Sequence, residues 1–586
     1  MTSNETRMMT DRVGMAAIGG LAGLSAWVLI EVVPEMVANP HLLITISAAV
    51  AGYFIILLAI VGPVTVRKAA IGAAYLALPA AVMLGWASLA FGSTEEFADS
   101  GFALIAWSVI LCLGTPFVAV LMWDRRYWNS YLDLFDFSWS IVVRYAAAWL
   151  FVGVFWLVLV LSDALLSLVS ITVIDFLMDQ DPVPQILTGA VLGLALRVVF
   201  EMRDYLSPYL LLQLLRLLLP VFLLVMVIFV VALPFSDPAK LFAGLSPAAT
   251  LMSVALGGIS LISVALDKSD ADATQAGWMQ LAAKAMAVLL PILAALACYG
   301  IWLRVAQYGW TPHRLAATTA AIVVAAYAIL YFLSVIAGGE WMRRVRVNNL
   351  WMAGVVMVLC VVWLSPLLNA EAISTRSQVA RYLDGQTKAE ELALWELAHE
   401  WGNPGRVSLD QLKALTDGSH SEVQRLIAIA EEEDARHMFS RRIGDNGRDA
   451  KIEKLFSMIR IIPEGHGLDA AALRYLPDYR LVPWVTDCAA LNGPGCVLVL
   501  GSFDNATDEQ EGLLFLPSKQ DTYEVISVQM QEGTLVAGRN LQDAGEGKTV
   551  KLSSETVQRL LDGDFRIAPS SKNSLWLGEI ELHPEN

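Results

Sequence analysis

Charged side chains are scarce over the first 370 residues, which hold 18 Lys+Arg and 21 Asp+Glu, against 22 and 35 in the 216 residues that follow. Soluble domains carry about a quarter of their residues charged, so this scarcity excludes an ordinary soluble fold for the longer part. Cysteine is scarce as well, with five in 586 residues. Cys112, Cys298 and Cys360 fall within apolar runs, where a thiol acts as a small hydrophobe. No second Cys or His pair stands at zinc-ligand spacing, so neither a metal nor another cofactor is expected. HExxH, P-loop, GxSxG and GxGxxG signatures are missing from meaningful positions, and the reading leans away from an enzyme. A basic excess is missing too. The net charge is −16, most of it in the last 216 residues, and so acidic a part is repelled by phosphate backbones and anionic lipid surfaces. Nucleic acid is therefore excluded as a partner.

Long apolar runs are what the chain has instead. Eleven candidate spans lie at 13–33, 41–61, 69–91, 102–123, 140–161, 185–202, 211–233, 247–266, 279–303, 315–337 and 350–368. A helix rises ~1.5 Å per residue, so the nineteen residues of the last run reach about 28 Å, one hydrocarbon core. The lipid bilayer is thus the first expected partner. Residues 1–12 are polar, lack a signal-peptidase site and predict a cytoplasmic N-terminal segment, followed by a bundle over 13–368. Arg67/Lys68, Arg125/Arg126, Arg203, Lys268 and the cluster Arg343, Arg344, Arg346 occupy alternate loops; the loops between them are mostly acidic. That bias places the N-terminus in the cytoplasm and the C-terminus outside a bacterial inner membrane, with Arg304 and Arg314 as exceptions. The short apolar stretch 164–178, which holds Asp175, is expected to be interfacial or re-entrant.

The remainder predicts a periplasmic domain, helix-rich over 369–476 and strand-rich over 477–586. Residues 390–401 fit one helix; Ser408 with Gln411, and Ser419 with Glu422, fit capping boxes opening two more, and the helical pattern continues through 452–462. Runs at 496–503, 512–518, 522–530, 533–541 and 575–583 are short, β-branched and bounded by turn residues, with a helix at 554–563 among them. Cys488 and Cys496 flank a loop rich in Gly, Pro and Asn, and a disulfide there needs an oxidising compartment. The expected fold class is a polytopic α-helical membrane protein with a C-terminal soluble α+β domain.

Five stretches resemble the bacterial inner-membrane family catalogued as domain-of-unknown-function family 4153. They are DRRYWNSYLDLFDFSWS (124–140), VGVFWLVLVL (152–161), VALPF (231–235), WLRVAQYGWTPHR (302–314) and ISTRSQVARYLDG (373–385). The resemblance, over about 124–385, implies a polytopic inner-membrane protein and brings no activity or catalytic residues with it.

Ionisable groups inside apolar spans are costly, so each is a candidate for function. Arg144, Arg216 and Lys284 stand near span ends, where long side chains reach the interface. Arg197 and Glu201, four residues apart, can pair and line a polar cavity. Arg304, Gln307, Tyr308, Trp310, His313 and Arg314 gather at a membrane exit. They form either an ordinary aromatic belt or an outward site for an anionic or sugar-like headgroup. Arg376, Gln378 and Arg381 add to the same predicted side. Glu31 and Glu35, in the first outer loop, are the acids a lipid-linked transferase would use. The leading reading is a non-enzymatic envelope sensor or scaffold whose partner is an envelope protein or lipid on the outer face. A transporter or lipid flippase, and then a lipid-linked transferase, are the alternatives.

Overall fold

The computed structural model describes residues 3–202, 208–235, 247–415, 420–433, 435–463, 468–489, 494–501, 511–518, 522–531, 534–540, 551–565, 575–577 and 580–582. Among these residues, eleven helices are long and apolar enough to cross a membrane: α1 (Met9–Met36), α2 (Pro40–Ile60), α3 (Val66–Ser88), α4 (Phe102–Trp123), α5 (Tyr131–Ser167), α6 (Val183–Glu201), α7 (Leu211–Phe235), α8 (Pro247–Leu266), α9 (Gly277–Tyr308), α10 (Pro312–Ile336) and α11 (Trp341–Trp363). Each overlaps one predicted span. The fold is that of a polytopic α-helical membrane protein with a sheet-containing C-terminal region.

Boundaries differ where polar turns extend an apolar helix. The last span begins at Trp341 rather than 350, so its arginines lie inside α11. It stops at Trp363 because Pro366 follows, and a proline disfavours helical backbone before it. α5 runs on through Ser167, turns with Ser170 at φ 63°, and is followed by the six-residue helix Val173–Met178. The stretch 164–178 is therefore the end of one helix, a turn and a second short helix. Arg203 and Ser419 lie outside the described residues.

The spans pack around two apolar cores. One is built from α1 to α4 with parts of α5 and α6, around Ile56, Leu84 and Leu196. The other is built from α7 to α10, around Met226, Ile262, Met286 and Tyr331. α11 touches both, Trp341 and Val345 joining the second core, Cys360 and Trp363 packing on the first. The tightest approach is α1 against α6, where two small-residue spacings, Gly19/Gly23 and Gly189/Gly193, face each other. A Cβ on Gly189 would overlap the carbonyl oxygen of Gly19, and one on Gly19 would overlap that of Gly189.

Contacts divide the chain into two compact units, Met1–Glu431 and Glu432–Asn586, so the division falls within 369–476. After α11 the first unit adds α12 (Ala370–Leu383), α13 (Leu394–His399), α14 (Gly402–Lys413) and α15 (Ser421–Glu432). α14 starts at Gly402, whose φ of +58° turns the chain sharply, and Ser408 is interior to it. The capping box expected at Ser408 is thus displaced by an earlier glycine-initiated start.

The second unit contains α16 (Arg436–Met458), α17 (Asp478–Cys488), α18 (Ser554–Leu561) and strands β1 (Ile459–Ile462), β2 (Cys496–Gly501), β3 (Glu511–Pro517), β4 (Thr522–Gln531), β5 (Thr534–Asn540) and β6 (Lys551–Ser553). β7 (Leu575–Leu577) and β8 (Ile580–Leu582) form a separate pair. The main sheet runs β1-β2-β3-β4-β5 with β6 also on β4; β1–β2 is parallel and the other pairs are antiparallel. Side chains alternate as a pleated strand requires. Leu498, Leu500, Leu514 and Ile526 face α16 and α17, while Val497, Val499, Phe515 and Val525 face Val557 of α18. β1 corrects the reading of 452–462 as helix throughout. Ile459, Ile461 and Ile462 are β-branched, and β2 supplies the partner that helical periodicity cannot show.

Cys488 and Cys496 form a disulfide joining the end of α17 to the start of β2, with Cα atoms 5.3 Å apart. Closing so short a loop stabilises a fold by about 2–3 kcal/mol. Replacing both cysteines by serine should therefore speed amide exchange in β1 and β2 about thirty- to a hundred-and-fiftyfold, read by mass spectrometry on the full chain. Unchanged exchange there would contradict a stabilising bridge.

Candidate functional site

The turn between α9 and α10 is built by Gly309 and Thr311. Gly309 adopts φ +73°, and a Cβ there would press on the side chains of Arg381 and Gln378. Thr311 caps α10, its hydroxyl accepting the Arg314 N–H at 3.3 Å. Arg314 Nη1 donates to the carbonyls of Tyr308 (3.1 Å) and Gly309 (2.8 Å), which ties its backbone-facing edge to the end of α9. The Tyr308 ring sits between two guanidiniums, 5.9 Å from that of Arg304 and 5.4 Å from that of Arg314. Cation–π attraction holds both arginines near one ring despite their like charge.

Arg304, Gln307, His313 and Arg314 line one cavity of about 550 Å³. Its deeper wall is apolar, with Ala249 and Met252 of α8 and Ile301 of α9. Among the described residues, no carboxylate lines the cavity. Positive charge at the mouth over an apolar wall suits an anionic headgroup with an attached chain. Four of the six predicted residues thus meet at one cavity. Tyr308 stands beside it between the arginines, and Trp310 turns its backbone elsewhere.

That backbone is gripped by α12. Gln378 Nε2 donates to the carbonyls of Tyr308 (2.8 Å) and Trp310 (2.9 Å), and Ser377 Oγ accepts the Trp310 N–H at 3.1 Å. Arg381 Nη2 adds a bond to the carbonyl of Gln307 at 2.7 Å. Arg376, on another face of the helix, is exposed. A second attachment joins α14 to the turn after α3. Asn403 N–H donates to the Ala90 carbonyl at 2.8 Å, and Arg406 pairs at 3.1 Å with Glu96, which is only 8% exposed. Span alternation puts both turns at the α12 end of the bundle, and these contacts agree with it.

At the opposite end Arg197 pairs with Glu201 at 3.1 Å and with Asp11 at 2.7 Å, while Glu201 also meets Arg12 at 2.6 Å. This four-residue network clasps α1 to α6 beyond the glycine contact. Glu31 and Glu35 are exposed near the end of α1. Arg144 and Arg216, expected to extend to the interface, are buried within the protein at span ends. Arg144 is buried and donates to the Val61 carbonyl at 2.9 Å. Arg216 pairs with the buried Asp267 and donates to the Val264 carbonyl at 3.1 Å. Lys284 lies over the Trp341 ring at 5.3 Å.

One polar cluster escaped sequence reasoning. Tyr331 donates to Asn349 Oδ1 at 2.6 Å and lies 2.8 Å from Ser263 Oγ; Asn349 Nδ2 donates to Ser263 Oγ (3.2 Å) and Tyr131 OH (3.3 Å). Tyr131 and Asn349 also line a largely apolar cavity of about 660 Å³ between α2, α4, α5 and α11. Neutral polar residues in apolar runs carry no charge signal, and only their recurrence on four spans could have marked them.

A family model described as Domain of unknown function (DUF4153) matches residues 48–411, wider than the 124–385 over which the resemblance is legible. It reaches from within α2 to the end of α14, so the match takes in the docked helices and leaves out the sheet-containing unit. No curated protein and no solved structure matches the chain.

Proposed function

Because the chain belongs to the DUF4153 family, whose description carries no activity, we propose a function from the site itself. The protein is a non-enzymatic sensor or scaffold of a bacterial inner membrane. It holds an anionic amphiphile by its headgroup in the Arg304–Arg314 cavity and transmits occupancy to the helices docked beside it. One observation carries this reading: the turn that supplies His313 and Arg314 is the turn gripped by Gln378, Ser377 and Arg381 of α12. A ligand drawing on either arginine therefore acts on α12 through a shared backbone. The loop-charge bias supports a cytoplasmic N-terminus, with α12 and the sheet-containing unit in the periplasm. A disulfide in that unit supports the same compartment. The sheet-containing unit is then the module that meets another envelope component.

The test is native mass spectrometry of the full chain in detergent with phosphatidylglycerol, paired with hydrogen exchange across α12. Charged hydrogen bonds contribute about 1.5–3 kcal/mol each, so Arg304→Ala with Arg314→Ala should weaken lipid retention at least tenfold. Wild-type α12 should gain protection on binding. Equal retention by the double variant, or binding that leaves α12 exchange unchanged, would sink the proposal.

A transport reading has its own support in the intramembrane cavity with Tyr131 and Asn349 at one wall. It requires that an Asn349→Leu variant fold normally yet lose flux in proteoliposomes.

A further inference from the structure

A third cavity, about 230 Å³, lies under the first turn of α12. Its walls come from the end of α3 (Trp86), the turn after it (Phe91), the start of α4 (Phe102), the end of α11 (Trp363) and α12 (Glu371). The Phe102 and Trp363 rings stand 6.1 Å apart and inclined at 61°. Among the described residues, Glu371 is the one titratable side chain lining the space. It has no ion-pair partner among the described residues, and burial raises its carboxyl above the ordinary carboxylate range. Among the described residues, no charged group offsets it.

A carboxylate without a counter-ion among the described residues, in a cavity lined by aromatic rings, is the chemistry that recognises an organic ammonium. The ring faces attract the cation and shed water from its alkyl substituents, and the carboxylate neutralises its charge. A divalent metal is a poor fit, because calcium or magnesium wants six or more oxygens and one carboxylate leads this set. The volume admits an ammonium group and excludes a whole lipid. Position agrees, since the lining residues sit at span ends, where headgroups of a bilayer lie.

We propose that the cavity lined by Glu371, Trp86, Phe102 and Trp363 binds an organic ammonium, supplied by a lipid headgroup or a small free amine. This site is separate from the anionic one. Phe102 packs edge-on against His313 with ring centroids 5.0 Å apart, so two cavities of opposite charge preference share a wall.

Saturation-transfer NMR of tetramethylammonium and of ethanolamine, with the full chain in detergent, tests the proposal. The probe's alkyl protons should receive saturation from the rings, saturably, and Glu371→Gln should weaken binding at least tenfold. Should Glu371→Gln fail to accumulate as folded protein, Trp363→Leu carries the test, with the same loss expected. Arg304→Ala with Arg314→Ala should leave the signal intact, which separates this site from the anionic one. Native mass spectrometry then tells the sources apart. Preferential retention of phosphatidylethanolamine over phosphatidylglycerol, lost in Glu371→Gln, assigns a lipid headgroup; probe binding without lipid preference assigns a free amine. No saturable signal from either probe, or an undiminished one in a folded Glu371→Gln protein, would overturn the proposal.

Discussion

Gly189→Leu should leave almost no folded protein. In α6 this glycine faces Gly19 of α1 so closely that even a methyl group would overlap a backbone carbonyl, and backbone cannot rotate aside as a side chain does. Lipid tails are as apolar as leucine, so spans associate through close packing rather than through hydrophobic transfer. Holding α1 and α6 apart by one side chain therefore forfeits most of their attraction. The separation also strains the Asp11–Arg197 and Arg12–Glu201 pairs beyond the contact. A loss above about 4 kcal/mol is expected, the range reached only by a few mechanisms, of which overpacking is one. The measurement is the monodisperse fraction on size-exclusion chromatography, with the melting temperature of whatever survives. Gly153→Leu in α5 is the control, because a Cβ there meets nothing within 4 Å. If the two variants behave alike, the glycine contact does not hold these helices together.

The contrast between these two glycines marks how far the sequence was legible. Hydropathy is a property of each segment alone, so all eleven spans could be found from it. Helix ends are less accessible, because α11 begins about two and a half turns earlier, in residues that hydropathy assigns to a loop. The spacing of Gly19 and Gly23 is visible as a string and sets them apart from the lone Gly153, yet the partner lies some 170 residues on and nothing local identifies it. β1 is the same case in another form, a strand whose identity depends on β2. At the site, the charges of Arg304 and Arg314 stood out against the loop-charge bias. Their clamp did not, because Gln378 acts on backbone carbonyls and Ser377 on a backbone N–H, groups that nearly every residue has. The arginine cluster 343–346 is instructive as well. The loop-charge bias treats it as solvent charge, whereas Arg344 donates to the last carbonyls of α10 and Arg346 to those of α8. Cations at helix C-termini complement the helix dipole, so orientation signal and structural cap are the same residues.

Arg216→Met alone should cost about 3–5 kcal/mol, and Asp267→Asn alone a similar amount, while the two together should cost far less than their sum. Arg216 is 8% exposed and Asp267 4%, so neither charge has water to turn to once its partner is gone. Asp267 also receives the Lys268 N–H at 2.7 Å, and its own carbonyl accepts from Arg346 at 3.0 Å. The turn after α8 thus gathers cations from α7 and α11 onto one residue. That residue has φ +50°, a conformation asparagine tolerates at least as well as aspartate, so Asp267→Asn removes charge without straining the backbone. Methionine at 216 keeps the length of the arginine stem and loses its guanidinium. Removing either charge strands the other in the protein; removing both strands neither, and burial of the methionine side chain offsets part of the lost bonding. Detergent-titrated unfolding of the four proteins gives the coupling free energy. A value above about 2 kcal/mol identifies a desolvated pair that fixes α7 against the α8 turn, and a value near zero would mean that both groups remain hydrated in the membrane protein. The same cycle separates structure from function. Because the pair lies at the opposite end of the bundle from α12, the double variant should keep the anionic headgroup binding that Arg304 and Arg314 confer.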